Sequence, residues 1–247
     1  MHPNRKFHIG ERDSMAALVR ELGFGILFVP TIEGLRAVHV PVLLDGDRLR
    51  FHVSRGNAVH AALTAGAEAL FVATGPHAYI SPEYYGLEDR VPTWNYVAVE
   101  LEGPVRPLDA DALVRLLDGM SHEQEARLAP KPAWTRTRMS QGLFEGLLKS
   151  ITGFEMEITA WRGTAKVDQD KPQAVRDRIA DALAGRGERE MAKVMRKEIP
   201  PPHLQGRGTA RSAVEGPSGA AEPLHQASPG PPPQEILGRN FERKSAS

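Results

Sequence analysis

The sequence predicts an α+β protein: an antiparallel barrel or sheet of short strands with helices at its flanks. Two observations carry this. Apolar and alternating runs follow one another across tight turns, as residues 35–44 and 48–53 do around Asp45-Gly46-Asp47. Helical patterns collect near the ends of the strand-rich stretch and do not alternate regularly with the strands, which disfavours a doubly wound parallel sheet.

In chain order, Asp13 or Ser14 can cap a short helix that puts Met15, Leu18, Val19 and Leu22 on one face and closes at Gly23. Residues 24–29 read as a buried strand, and the Asp45-Gly46-Asp47 hairpin follows. Residues 60–65 suit a short helix and 69–73 a strand. A second strand pair is expected at 96–101 and 105–108. A helix follows from Asp109, with Leu113, Leu116 and Leu117 inward. Helical signals return at 139–150 and 172–197, the latter interrupted by Gly185-Arg186-Gly187, with a strand at 154–160 between them.

Composition changes near Ile199: nine of the 20 prolines lie in residues 200–233. Such a stretch buries too little apolar surface to offset its ordering entropy. The expected organisation is therefore one folded domain over residues 1–198 and a Pro/Gly-rich, disordered tail over 199–247.

The 247 residues carry 31 basic and 31 acidic side chains and no cysteine. Without cysteine there is no disulfide, thiolate zinc site or cysteine nucleophile. Charge balance holds in both parts, with 26 basic and 27 acidic groups in 1–198 and 5 and 4 in the tail. No part thus has the broad cationic field that holds nucleic acid by charge alone. No apolar run approaches the ~20 residues of a membrane helix, so a soluble cytoplasmic protein is expected. No phosphate loop or nucleophile elbow is present, and His122-Glu123-Gln124-Glu125-Ala126 lacks the second histidine of a zincin helix. No metal site is expected.

Three stretches are polar and aromatic where plain strands would be apolar. His52-Val53-Ser54-Arg55-Gly56-Asn57 runs from a strand end toward a helix and offers a hydroxyl and a forked cation, a set suited to phosphate. In Gly75-Pro76-His77-Ala78-Tyr79-Ile80-Ser81-Pro82-Glu83-Tyr84-Tyr85 two prolines fix the backbone around a histidine and three tyrosines. Val91-Pro92-Thr93-Trp94-Asn95-Tyr96 offers flat surface for a ring, with Thr and Asn for its polar edge.

These stretches, together with Ala37-Val38-His39-Val40-Pro41-Val42-Leu43-Leu44-Asp45, Gly153-Phe154-Glu155 and Ile158-Thr159, resemble the PaiB family of FMN-binding negative transcriptional regulators. The likeness covers about residues 1–198 in the same order. It implies a split β-barrel of the kind shared with pyridoxamine-phosphate oxidases and flavin reductases, a homodimer, and FMN in the crevices between subunits. On that basis Ser54 and Arg55 are expected at the phosphate, with Asn57 supporting the turn. His39, Thr93, Trp94, Asn95 and Tyr96 are expected along the ring or ribityl chain, and His77 and Tyr79 at the open side of the ring. The family's usual Trp-Lys-Leu-Ser-Gln-Asn is replaced by Ala165-Lys166-Val167-Asp168-Gln169-Asp170, which keeps only the Lys and the Gln.

The function expected is an FMN-binding regulatory protein, with an FMN-dependent oxidoreductase as the alternative and haem binding through His39 or His77 as a third reading. No catalytic residue is singled out, though His77 is the best acid–base group if it faces the ring. DNA contact would fall to Arg186, Arg189, Lys193, Arg196 and Lys197, or to the basic stretch 131–138, and a solvated helix face explains the former equally well.

Overall fold

The computed structural model describes residues 2–196; the expected tail, and Lys197 with it, lie outside the described residues. Helix α1 (Arg12–Leu22) buries Met15, Ala16 and Val19. It ends at Gly23, whose φ of 58° places it in the left-handed region that glycine enters without a Cβ penalty. The helix starts one residue before the expected cap: Glu11 is the extended flanking residue.

Eight strands follow one hydrogen-bonded order. They are β1 (His8–Ile9), β2 (Phe24–Thr31), β3 (Gly34–Asp45), β4 (Arg48–Ser54), β5 (Glu68–Ile80), β6 (Thr93–Pro107), β7 (Ile151–Glu157) and β8 (Ala160–Lys166). The order is β1-β8-β6-β5-β2-β3-β4-β7, all antiparallel, and a further β6–β7 pairing closes it into a barrel. Helix α2 (His60–Thr64) links β4 to β5, and α3 (Ala110–Ala126) and α4 (Leu143–Leu148) lie between β6 and β7. Helices α5 (Gln173–Gly185) and α6 (Arg189–Arg196) complete the described chain. The α+β class is as expected, and closure supplies partners for edges that an open sheet leaves bare.

Alternation sorts the side chains into two cores. Leu27, Leu49, Phe51, Phe71, Leu101, Phe154 and Met156 fill the barrel, each fully shielded. Burial of a side chain of this size contributes about 1.5–3 kcal/mol. The second core joins Ile80 and Val97 of the sheet's far end, and Tyr85 of the helical turn that follows β5, to Ile179 and Leu183 of α5 and Met191 and Met195 of α6.

Four expectations change. The pair at 96–101 and 105–108 is one strand, β6, running straight through Gly103 and Pro104. Gly103 is needed there because a Cβ would collide with the Glu157 carbonyl where the strands cross, a close approach and not a turn. The strand expected at 154–160 is split between β7 and β8, which turn at Ile158 and Thr159. The helix at 139–150 shrinks to α4. Most of the stretch read as a stiff loop at 75–85 is strand: β5 runs to Ile80, with a register shift between Thr74 and His77 that absorbs Gly75-Pro76.

Candidate functional site

Strand β3 serves two neighbours in turn. Its residues from Gly34 to Pro41 pair with β2, and those from Val42 to Asp45 pair with β4. Continued backward, the β3–β4 register would set His39 opposite Ser54, but the strands have parted there. The split therefore opens between His39 and the Ser54-Arg55-Gly56-Asn57 corner. At that corner Ser54 Oγ accepts from the Gly56 N–H at 3.3 Å, which leaves its own proton to donate. Asn57 Oδ1 accepts from the Val59 N–H at 3.1 Å, while the Asn57 N–H donates to the Ser54 carbonyl at 3.0 Å. Arg55 is exposed, and its Nε donates to the Ile151 carbonyl at 3.3 Å; among the described residues its two terminal nitrogens have no hydrogen-bond acceptor. A hydroxyl and a tethered guanidinium held on a stiff corner fit a phosphate.

The outer face of the sheet gathers the aromatic residues. Phe24 and His39 stack with ring centroids 6.2 Å apart. Beyond the β5 bulge, His77 pairs with Tyr96 and Tyr79 with Trp94. The Trp94 ring lies 6.1 Å from His77 and 6.2 Å from Tyr79. Trp94 keeps 54% of its surface exposed. Such half-exposed aromatic surface is available for a planar ligand. On β8, next to β6, Arg162 donates to Glu100 at 3.0 Å and also grips Glu102. Both carboxylates are held below their usual range: the guanidinium hydrogen bond is the main cause at Glu102, while at Glu100 burial acts in the opposite sense and Arg162 is one of the groups that lower it.

Asn95 is corrected. Strand alternation turns it away from Trp94 and Tyr96, and it is fully buried in the second core. Its Nδ2 donates to Asp168 Oδ2 at 2.7 Å, and the Tyr85 hydroxyl donates to both oxygens of the same carboxylate at 3.2 Å. Burial, and then the Asp168 charge, push the Tyr85 hydroxyl pKa upward, so Tyr85 stays a donor. Asn95 thus serves the fold and cannot line a ligand from this position. Thr93 also points elsewhere than expected: its Oγ1 accepts from Lys166 Nζ at 2.6 Å.

Two residues of consequence escaped the sequence reading. Asp168 sits at φ 54° and organises the buried network, and nothing in its neighbours' spacing marks it. Lys166 was noted only as a retained position. It pairs with Tyr96 across β6 and β8, and its ammonium donates to Thr93 Oγ1 and to the Trp94 carbonyl at 2.7 Å. Burial lowers its pKa, while Asp168 and Asp170 act in the opposite sense. The cations proposed for DNA are mostly engaged: Arg186 donates to the Tyr84 hydroxyl, Lys193 pairs with Glu190, and Arg196 pairs with Asp181. Away from the split, α3, α4 and the segment between them border an open, largely apolar pocket of about 270 Å³ lined by Leu117, Trp134, Phe144, Leu147 and Ile151.

A family model described as "Putative FMN-binding domain" matches residues 1–160. The protease synthase and sporulation protein PAI 2 of Bacillus subtilis is 28% identical over 207 residues, which cover 81% of this chain and 98% of that protein. An uncharacterized protein of Emericella nidulans is 26% identical over 214 residues, 69% of this chain and 85% of that one. Among solved structures, a conserved hypothetical protein of Mycobacterium tuberculosis superposes with a TM-score of 0.50 at 10% identity, over 70% of this chain and 94% of that one. It shares the fold, the split β-barrel.

Proposed function

Since the chain belongs to the family of FMN-binding domains, we propose that it holds FMN in a regulatory role, as a PaiB-like protein that restrains transcription. The observation that carries the FMN reading is the parting of β3 from β4. It sets unpartnered phosphate donors at one margin of a face whose rings are left exposed. Ser54 and Arg55 hold the phosphate, and Asn57 keeps their turn in shape. His39, Trp94 and Tyr96 pack against the ring, with His77 and Tyr79 at its open side. When bound, FMN supplies reversible two-electron chemistry, and the chain supplies position and charge. The side chains of Asn95 and Thr93 take no part in this contact.

The working unit is a homodimer with FMN at the subunit interface. Phe24, Leu35 and Trp94 are each more than half exposed on or beside the outer face, and a second copy would cover them. No helix among the described residues is long and apolar enough to cross a membrane, in keeping with a cytoplasmic setting. Negative control of transcription follows from the PaiB resemblance, and its test is salt-dependent binding to promoter DNA. A second reading, an FMN-dependent oxidoreductase, is favoured by the exposed His77 ring, whose Nδ1 faces the Gly75 carbonyl and leaves Nε2 for a substrate proton.

The deciding experiment for FMN is the absorption spectrum of the purified chain followed by thermal unfolding with saturating FMN. A flavin spectrum, or a stabilisation of about 2.7 kcal/mol at a hundredfold excess over Kd, is expected. Colourless protein whose Tm FMN leaves unchanged sinks the reading.

A further inference from the structure

Helix α4 carries apolar surface that the fold does not use. Leu143, Phe144, Leu147 and Leu148 are four of its six residues, yet none of the six is buried, and Leu143 and Leu147 are about half exposed. A surface helix of this composition ordinarily hides its apolar stripe. Here Phe144, Leu147 and Leu148 line the open pocket of about 270 Å³, with Leu117 of α3, Trp134 and Ile151 among its other walls. That volume is the share of about nine water molecules at roughly 30 Å³ each, room for a compact molecule of one or two rings. Trp134 and Phe144 give it flat walls, which suit a ring.

Two polar groups at the pocket are unspent. Ser121 lines it from α3, and among the described residues its hydroxyl has no hydrogen-bond partner. The Arg136 guanidinium lies over the Phe144 ring, 5.2 Å from its centroid, and its Nε is 3.0 Å from the Asp118 carboxylate. Its two terminal nitrogens have no hydrogen-bond acceptor among the described residues. A guanidinium placed over a ring, with its terminal donors open, is suited to a carboxylate. Asp118 offsets one charge, but residues 131–149 carry four basic side chains against one acidic, so the field at the mouth favours an anion.

We infer that this pocket is a second ligand site, for a small aromatic carboxylate. The ring packs against Trp134 and Phe144, the carboxylate accepts from Arg136, and the Ser121 hydroxyl is left to a polar group of the ligand. The inference goes beyond the FMN reading and does not depend on it. No residue assigned to the flavin lines this pocket. The two sites meet only through Ile151, which is one of its walls and whose carbonyl accepts from Arg55 Nε. Displacement by FMN is therefore part of the test.

The isotope-labelled full chain is titrated with cinnamate, and the indole N–H resonances of its three tryptophans are followed by nuclear magnetic resonance. Trp134→Phe identifies the signal that belongs to the pocket. That signal alone is expected to move, saturably, with a Kd of about 0.1–1 mM for so small a ligand. Cinnamamide, the same ring without the charge, is expected to bind about tenfold more weakly, as is cinnamate to Arg136→Gln. Leu147→Trp fills the pocket from a half-exposed position and should abolish the shift, and saturating FMN should leave it unchanged. Equal binding of acid and amide, a shift that persists in Leu147→Trp, or no saturable shift overturns the inference. So does displacement of cinnamate by FMN, which makes the pocket an arm of the flavin site, or a change of oligomeric state in Leu147→Trp, which makes it a contact between copies. Failure of the FMN reading is distinct: a chain that takes up no FMN still binds cinnamate.

Discussion

Residues Trp94, Asn95 and Tyr96 are consecutive, yet the two faces of β6 put them to opposite uses. On the outer face, Trp94 is 54% exposed and its ring meets those of His77 and Tyr79. On the inner face, Asn95 is 0% exposed and locked to Asp168, with Tyr85 on the same carboxylate and Met195 of α6 beside it. The outer residues are cheap to alter for the fold and costly for a ligand, and the inner ones the reverse. A motif that reads as one functional string is, at this strand, two interleaved halves.

Substitutions that hit one face alone can break this division. The largest effect is expected inside. Asp168→Ala leaves the Tyr85 hydroxyl and the Asn95 amide buried without their acceptor and should cost about 3 kcal/mol, measured by urea unfolding. A cost below about 0.5 kcal/mol would show that the network does not hold the second core. Arg55→Ala comes next, at the other margin of the outer face. It is expected to raise the Kd for FMN about 10- to 100-fold and to leave the urea midpoint in place, since Arg55 contributes only one exposed hydrogen bond to the fold.

Trp94→Ala should weaken FMN by about 1 kcal/mol, roughly fivefold, and again spare stability. If it unfolds the chain while FMN affinity of the remaining folded protein is unchanged, the outer face is structural and the division fails. The smallest effect concerns pH, at a carboxylate remote from both halves. Glu155 is buried on β7, and although burial alone would raise its pKa, hydrogen bonds from Arg106 and Arg50 hold it lower. A depressed folded pKa means stabilisation that is complete above the unfolded carboxylate value of about 4.3 and is lost as pH falls through the folded value. Arg106→Ala should flatten that acid limb of the stability profile, and an unchanged limb would remove Arg106 as its cause.

The sequence conveyed the barrel through its alternation and the Asp45-Gly46-Asp47 turn, because tight hairpins leave local marks. It misled at Gly103, where glycine answers a strand passing overhead, an event 54 residues away in the chain at Glu157. The aromatic groups were legible because prolines are rare in plain strands and because these rings stand among polar residues such as His77, Thr93 and Asn95. The direction each one faces was not, since it depends on a register that only pairing sets: the Gly75-Pro76 bulge shifts β5 so that His77 and Tyr79 join Trp94 and Tyr96. Asp168 was invisible for a like reason. Its partners stand 73 and 83 residues away.

Hydrogen–deuterium exchange of the full chain with and without saturating FMN tests the central claim most directly, that the split and the outer face together form the flavin site. Slowed exchange is expected at residues 54–57, at 77–79 and 94–96, and at Lys166, with no change at α3 and α4 around the Trp134–Phe144 pocket. Protection confined to that pocket, with the split and β6 unaffected, would contradict the account.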